Sequence, residues 1–499
     1  MKEEATDSYG HVLKYTGVFG GVQGLNLLIG LVRNKCVALL LGPEGMGLVS
    51  LFNSTVNFIS QATNFGISFS AVKHVSELFD TGDEVAIRHF IKVVRIWSLL
   101  TALLGMLVCV AAGPFLSSFT FSWGNHSLHF ILLSPVVGMM AITGGETAIL
   151  KGARRLRALA VIQVYAVLAA FVITIPLYYF FGQAGIVPVI ALMALATMLL
   201  TIRYSYKLYP LRIKSEKGVL GEGTAMVKLG LAFVIAGVLG SGAEMLIKAY
   251  LNVVGDLDIV GLYNIGYMLT ISYASIVFSS MENDFFPRLS AVPRGDVVTQ
   301  NLTINRQIEV SLLLISPMLA FLMLALPVII PLMFSNMFLP VVPMARIALF
   351  SMYLKSLSLP MAYTNLAKGN STGFLLSETA YYLAFVLLVV FGYSRWGLVG
   401  TGVALVMSYV VELVVVYVYI HFRYHYTVSG AVIGYFLVQL LFGVAVYAAV
   451  LFEATWLGWG LGLMLVLLST LFSMLVIRKK TSLWNALVQR WFRRRQIGV

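Results

Sequence analysis

Charge is what this sequence has least of. Only 11% of its residues are Asp, Glu, Lys or Arg, where an average soluble domain carries roughly 25%. Apolar residues make up 59% and the mean hydropathy is +0.90, which excludes an ordinary soluble fold. Cysteine is nearly absent. Cys36 and Cys109 both fall in apolar runs, which argues against a disulfide framework or a clustered-ligand metal site. No short apolar core with a small-residue cleavage site follows Met1-Lys2-Glu3-Glu4, so no signal peptide is expected. A membrane-embedded polymerase or glycosyltransferase would need a sizeable outer or cytoplasmic loop carrying acids or histidines for general acid-base work; the longest expected loops, Lys73–Lys92 and Phe286–Glu309, are cytoplasmic, and no expected outer loop exceeds about ten residues. No cofactor, metal or catalytic residue is expected.

What the chain does have is apolar runs. A spanning helix takes about 20 mainly apolar residues, and about fourteen such runs nearly fill the sequence, separated by Gly, Pro or charge clusters. The expected spans are Thr16–Leu40, Leu48–Val72, Val93–Ser117, Leu128–Leu150, Ala158–Gly182, Ala184–Tyr206 and Ala225–Val253. The later ones are Ile259–Phe285, Val310–Phe334, Val342–Ala367, Thr372–Tyr393, Gly397–Ile420, Ser429–Phe452 and Trp456–Ile477. The fold class is therefore an all-α integral membrane protein.

The net charge of +13 has a topological reading. Loops on one side hold Lys73, Arg88 and Lys92, then Lys151, Arg154, Arg155 and Arg157, then Lys207, Arg212, Lys214 and Lys217, then Arg288, Arg294 and Arg306. Loops on the other side hold no Lys or Arg except Arg395. Basic residues stay cytoplasmic, so an even number of spans puts both termini inside, and nucleic acid is not an expected partner.

Two short patterns recur. Gly47-Leu48 leads into the second span and Gly261-Leu262 into the eighth; Lys151-Gly152 follows the fourth and Lys368-Gly369 the tenth. The offsets suggest two six-helix lobes in parallel repeat, over 1–217 and 218–425, around a central cavity. Residues 426–477 then hold two extra helices, and 478–499 form a basic amphipathic tail suited to the anionic cytoplasmic leaflet.

Polar residues inside spans are costly and therefore informative. Gln23, Asn26, Gly30 and Arg33 share one face of the first span; Lys35 lies on another, about 200° around the helix. Ser50, Asn53, Asn57, Gln61, Asn64 and Ser68 form a stripe on the second. Gly237, Ser241, Glu244, Lys248 and Asn252 line up on the seventh, and Asn264, Met268, Ser272, Ser275, Ser279 and Glu282 on the eighth. Such rows can line a wet cavity, or they can serve interhelical hydrogen bonding. Glu244 and Lys248, four apart, can equally be a helical ion pair. Arg33 has no acid at i±3 or i±4. In the tenth span Arg346 and Lys355 are half a turn out of phase, so at most one faces a lumen. Glu146, Glu378 and Glu412 receive no catalytic role. The expected substrate-binding set is Asn26, Arg33, Lys35, Asn57, Gln61, Glu244, Lys248 and Lys355: cations for an anion, and amides for hydroxyls.

Lys35 followed by Gly42-Pro43-Glu44-Gly45-Met46-Gly47-Leu48, then Ala71-Val72-Lys73-His74-Val75-Ser76, then Leu150-Lys151-Gly152-Ala153-Arg154-Arg155-Leu156-Arg157, together resemble the polysaccharide flippases of the multidrug/oligosaccharidyl-lipid/polysaccharide exporter superfamily. The likeness covers the first twelve spans. It implies two lobes, alternating access and translocation of an undecaprenyl-diphosphate-linked oligosaccharide, such as an O-antigen or common-antigen-like unit, across a bacterial cytoplasmic membrane. Membrane lipids and polysaccharide polymerase machinery are its implied partners. By motif position the family's cationic cavity carries over to Lys35 alone. Fourteen spans depart from the common twelve and keep a lipid II flippase as an alternative. A drug/cation antiporter of the same superfamily would be expected to show a cavity acid in the first lobe, where the first span offers Arg33 and Lys35.

Overall fold

A computed structural model describes the backbone of residues 2–121, 124–210, 219–272, 278, 285–293, 295–452 and 456–480, and the side chains from residue 29 on except at some positions, most of them within 211–232. The basic tail expected beyond Lys480, Arg294, and the side chains of Gln23, Asn26, Ser275, Ser279 and Glu282 lie outside the described residues. Fourteen α-helices and no strand occur among the described residues. In chain order they are α1 Lys2–Thr63, α2 Ile67–Thr81, α3 Glu84–Thr120, α4 Ser127–Gly152, α5 Leu156–Phe181, α6 Ile186–Leu208 and α7 Val219–Val254. Then come α8 Leu257–Tyr267, α9 Val297–Met333, α10 Val342–Ala348, α11 Phe350–Ala367, α12 Ser371–Tyr424, α13 Gly430–Leu451 and α14 Trp456–Lys480.

Among the described residues, nine helical stretches are long and apolar enough to cross a membrane, ten if the pair Asn336–Ala348 and Phe350–Ala367, bent by 44°, counts as one. Two of the nine, Leu156–Leu208 and Ser371–Tyr424, run 53 and 54 residues, more than twice what one crossing needs. The breaks fall where the sequence punctuates them. Gly42 turns at φ 65° before Pro43, Gly182 at φ 53° opens a 3-10 turn over Gly182–Gly185, and Gly397 at φ 56° interrupts α12. A positive φ costs Gly nothing and other residues something. The second expected span does not run through: it breaks at residues 64–66, where Phe65 and Gly66 both adopt positive φ, and resumes as α2. Caps fix other starts. The Asp83 carboxylate accepts the Val85 and Ala86 N–H groups, and Asn370 Oδ1 accepts that of Gly373.

The chain forms two compact units, Met1–Asn264 with Ile330–Phe338, and Ile265–Ile329 with Leu339–Val499. In the first, Ile67, Ala71, Val75, Ile91, Val94 and Ile149 form a sealed core where α2, α3 and α4 meet. Beside it Arg95 Nε donates to Glu146 Oε1 at 2.8 Å, and Ser205 Oγ of α6 to Glu146 Oε2 at 2.5 Å, so Glu146 is a paired structural acid. In the second, Gln439 of α13 bonds Ser469 and Ser473 of α14 at 2.6 and 2.7 Å, satisfying a buried amide across the hairpin. The outside is apolar: Leu99, Leu103, Leu107 and Val110 run exposed along α3, the surface a bilayer wets.

Candidate functional site

In the first unit, the part of α1 after Pro43 has an inverted pattern. Leu51, Phe52, Thr55, Val56 and Ile59 are buried, while Asn57 and Gln61 are exposed and Asn53, Asn64 and Ser68 half-buried. An exposed amide in mid-span cannot face hydrocarbon without losing its hydrogen bonds, so this stripe marks a wet wall. α7 packs beside it through glycines. A methyl group on Gly237 would come within 3.0 Å of Gln61 Oε1, and one on Gly242 within 3.3 Å of the Phe58 ring. These contacts run antiparallel, so Glu244 falls at the level of Asn57. The Lys248 ammonium donates to Glu244 at 2.5 Å, with the lysine side chain 4% exposed and the glutamate 40%. The acid is the presented member of the pair. Ser50 Oγ donates to Asn264 Oδ1 at 2.8 Å, and Asn252 Nδ2 to the Thr120 carbonyl at 2.8 Å; these two are structural hydrogen bonds, as interhelical packing would have them.

At Ser68 the stripe opens into a cavity of about 460 Å³ lined by Ser68, Thr143, Thr147, Thr197 and Lys151 among others. Gly144 allows this, because a methyl there would overlap Ser68 Oγ. Thr143 and Thr147 lie four apart on α4, a pair of hydroxyls the sequence reading passed over; their i, i+4 spacing beside Lys151 was the available signal. The size suits a small-molecule site, and a cation among hydroxyls suits a phosphorylated or hydroxylated ligand.

The other expected residues are placed elsewhere. Arg33 Nη2 donates to Asn34 Oδ1 at 3.2 Å, and its charge acts on the Tyr178 hydroxyl of α5. Lys35 donates to the Pro331 carbonyl, one of the last carbonyls of α9, which have no partner within the helix and carry the negative end of its dipole. Arg346 Nε donates to the Met323 carbonyl at 3.2 Å. In the second unit Lys355 is half-buried, lies 5.5 Å from the Phe278 ring centroid, and interacts electrostatically with Glu378 and Glu412. Tyr381 and Tyr409, with ring centroids 4.9 Å apart, both interact with Glu412. Within the first unit Asn57, Gln61, Glu244 and Lys248 fall along one α1–α7 seam, while Arg33 and Lys35 engage other partners; Lys355 belongs to the second unit. Sequence reasoning gave Glu378 and Glu412 no partner, although Glu378/Tyr381 and Tyr409/Glu412 repeat one three-residue spacing. No group of His, Cys, Asp or Glu that could hold a metal occurs among the described residues.

The fold is shared with solved transporters. A lipid II flippase MurJ in an inward closed conformation superposes with a TM-score of 0.66 at 13% identity, covering 92% of this chain and 99% of that one. An inward-facing multidrug resistance MATE family transporter of the MOP superfamily gives 0.61 at 16% identity, covering 80% and 94%. A MATE in the bent conformation gives 0.57 at 14%, covering 80% and 92%. No curated protein matches the sequence. The family described as polysaccharide biosynthesis protein matches over residues 36–343, more than half of the 499-residue chain, and the chain belongs to that family, with the fold of MOP superfamily transporters.

Proposed function

We propose that the protein is a flippase that carries an undecaprenyl-diphosphate-linked oligosaccharide, an O-antigen or common-antigen-like unit, from the cytoplasmic to the outer leaflet of a bacterial inner membrane, both termini being cytoplasmic. The observation that carries this reading is the exposed amide row Asn57 and Gln61, which continues through Ser68 to a cavity where Lys151 and the hydroxyls of Thr143, Thr147 and Thr197 stand among apolar side chains. Amides and threonine hydroxyls meet sugar hydroxyls with both donors and acceptors, and a lysine meets a phosphate as a point charge. Translocation breaks no covalent bond, so the site needs binding groups and no nucleophile. Glu244 is offset by Lys248 at 2.5 Å, so a cationic drug would meet a neutralised acid on this wall. Asn26, Arg33, Lys35 and Lys355 complete the proposed set, with two lobes exposing it alternately. Polysaccharide polymerase machinery would take the product. A lipid II flippase is the second reading, favoured by α13 and α14 and by the 99% coverage of the MurJ chain.

The test is reconstitution into vesicles with a fluorescent polyprenyl-diphosphate oligosaccharide, a lipid II analogue and a cationic dye in separate arms. Crossing of the oligosaccharide alone supports the first reading. Crossing of lipid II alone selects the second, and crossing of the dye alone overturns both.

A further inference from the structure

The hydroxyls in the cavity at Ser68 have a fixed polarity. Met140, Thr143, Thr147 and Lys151 follow steps of three and four along α4 and share the face that lines it, and α6 contributes Met193, Ala194 and Thr197. Thr143 Oγ1 donates to the Met139 carbonyl at 2.7 Å, and Thr197 Oγ1 to the Met193 carbonyl at 2.8 Å. A threonine hydroxyl has one proton and two lone pairs. Both protons are thus spent inside their own helices, and toward the cavity these two hydroxyls can only accept.

The occupant follows from that inventory. Two acceptors on two different helices call for a ligand with hydrogen-bond donors, which a hydrocarbon chain, an ether or an ester lacks. Lys151, in the last turn of α4, calls for an anion, and no acid lines the cavity to compete for it. The 26 residues of α4 measure about 39 Å against a hydrocarbon core of about 30 Å, so this last turn reaches the membrane boundary, the level at which lipid phosphates lie. Met140, Met193 and Ala194 supply apolar surface against which the C–H face of a sugar ring can pack. At about 460 Å³ the space falls toward the lower end of the roughly 300–1,000 Å³ of small-molecule sites. It suits one sugar with its phosphate and is too small for an oligosaccharide.

We propose that this cavity binds a single hexose phosphate unit, its phosphate on Lys151 and two of its hydroxyls donating to Thr143 and Thr197, and that it selects sugars carrying those hydroxyls free. The inference rests on the flippase reading and deepens it, the unit being part of the lipid-linked cargo. A soluble sugar phosphate has the same chemistry, and the experiment separates the two sources.

The full chain in detergent is titrated with glucose 1-phosphate, galactose 1-phosphate and N-acetylglucosamine 1-phosphate, read by saturation-transfer NMR and by the thermal midpoint. Crossing of the fluorescent polyprenyl-diphosphate oligosaccharide is then measured in vesicles. At least one of the three sugar phosphates is expected to bind and to raise the midpoint. Thr143→Val with Thr197→Val keeps the side-chain shape and leaves the Met139 and Met193 carbonyls their helical N–H donors, so the ligand-free midpoint should hold while affinity falls about tenfold. Thr143→Ser with Thr197→Ser should retain binding. Lys151→Gln should weaken it and Lys151→Arg should keep it, while Ala194→Leu, which fills the cavity without altering charge, should abolish it. Binding by none of the three, or equal binding by the double valine variant or by Ala194→Leu, overturns the proposal. Equal binding by Lys151→Gln overturns the placement of the phosphate. Unslowed oligosaccharide crossing by a double valine variant that has lost sugar phosphate binding overturns the assignment to the cargo in favour of a soluble ligand. A parent protein that binds the sugar phosphate and moves no oligosaccharide sinks the flippase reading and leaves the pocket standing.

Discussion

Gly47 and Gly261 meet face to face with reciprocal contacts. A methyl built on Gly47 would overlap the Leu257 carbonyl oxygen and lie 3.1 Å from Gly261 N; one built on Gly261 would overlap the Pro43 carbonyl oxygen and lie 3.1 Å from Gly47 N. Leu257 precedes Gly261 by four residues, as Pro43 precedes Gly47. Each helix start therefore presents the same surface to the other, the signature of a two-fold relation between two short repeats. Small residues at such a crossing let backbones approach closely. Any side chain at either position forces the helices apart, and overpacking of this kind costs about 1–3 kcal/mol. Gly47→Ala and Gly261→Ala are each expected to lower the thermal midpoint in detergent. Gly434→Ala and Gly460→Ala, where nothing lies within 4 Å of the added carbon, serve as controls and should not lower it.

The Arg95–Glu146 pair is buried, with side chains 9% and 3% exposed. Removing one partner strands a charge, which costs about 3–5 kcal/mol, whereas replacing both by apolar residues of similar size is often neutral. Arg95→Met and Glu146→Leu should each reduce folded yield and midpoint, and the double variant should recover most of the loss. A double variant as damaged as the worse single one would mean that the contacts of Ser205 with Glu146 and of the Tyr206 ring with the Arg95 guanidinium, 4.1 Å from its centroid, carry the cluster instead.

Helix placement was legible because its causes are local. Gly42-Pro43, Phe181-Gly182-Gln183 and Gly397 interrupt apolar runs in the sequence and interrupt the helices in the structure. Apolar content sets only the part of a helix that meets lipid, so α3 and α9 begin at Glu84 and Val297, nine and thirteen residues before the expected spans at Val93 and Val310. Partners of charged side chains were not legible. Glu146 lies 51 residues from Arg95, and Lys35 lies 296 from the Pro331 carbonyl it serves. Periodicity says which face a residue occupies but not which helix that face meets. The same limit explains why Arg33 shares a face with Asn26 in the sequence and acts on Tyr178 in the fold.

Asp296 offers a pH test outside the spans. Its Oδ1 accepts the Thr299 N–H at 3.0 Å at the start of α9, and this bond holds its carboxyl below the ordinary aspartate value of 3.8, with Lys368 adding a smaller pull. A depressed carboxyl stabilises the fold above its unfolded value and loses that contribution as pH falls through the folded one. Asp296→Ala should therefore lower the midpoint at pH 7, and the difference from the parent should shrink as the pH is taken below 3.8. A difference that persists unchanged in acid would assign the effect to chain geometry rather than to the carboxylate.

Asn57 and Gln61 separate a binding wall from a packing seam. Both are exposed, so exchanging them for leucine removes no internal hydrogen bond and adds apolar area that water disfavours by roughly 25 cal/mol per Å². If they bind sugar hydroxyls, Asn57→Leu with Gln61→Leu should slow oligosaccharide crossing in vesicles by tenfold or more, since each lost hydrogen bond to a buried ligand is worth about 1 kcal/mol, with the midpoint in detergent unchanged. Asn252→Leu is the contrasting variant. Asn252 is 2% exposed and holds the Thr120 carbonyl at 2.8 Å, so it should lower the midpoint first and transport only in proportion to folded protein. Unimpaired crossing by the Asn57/Gln61 variant would mean that the cargo passes along another wall, and the next to test is the Thr143, Thr147 and Lys151 cavity, by Thr143→Val with Thr147→Val.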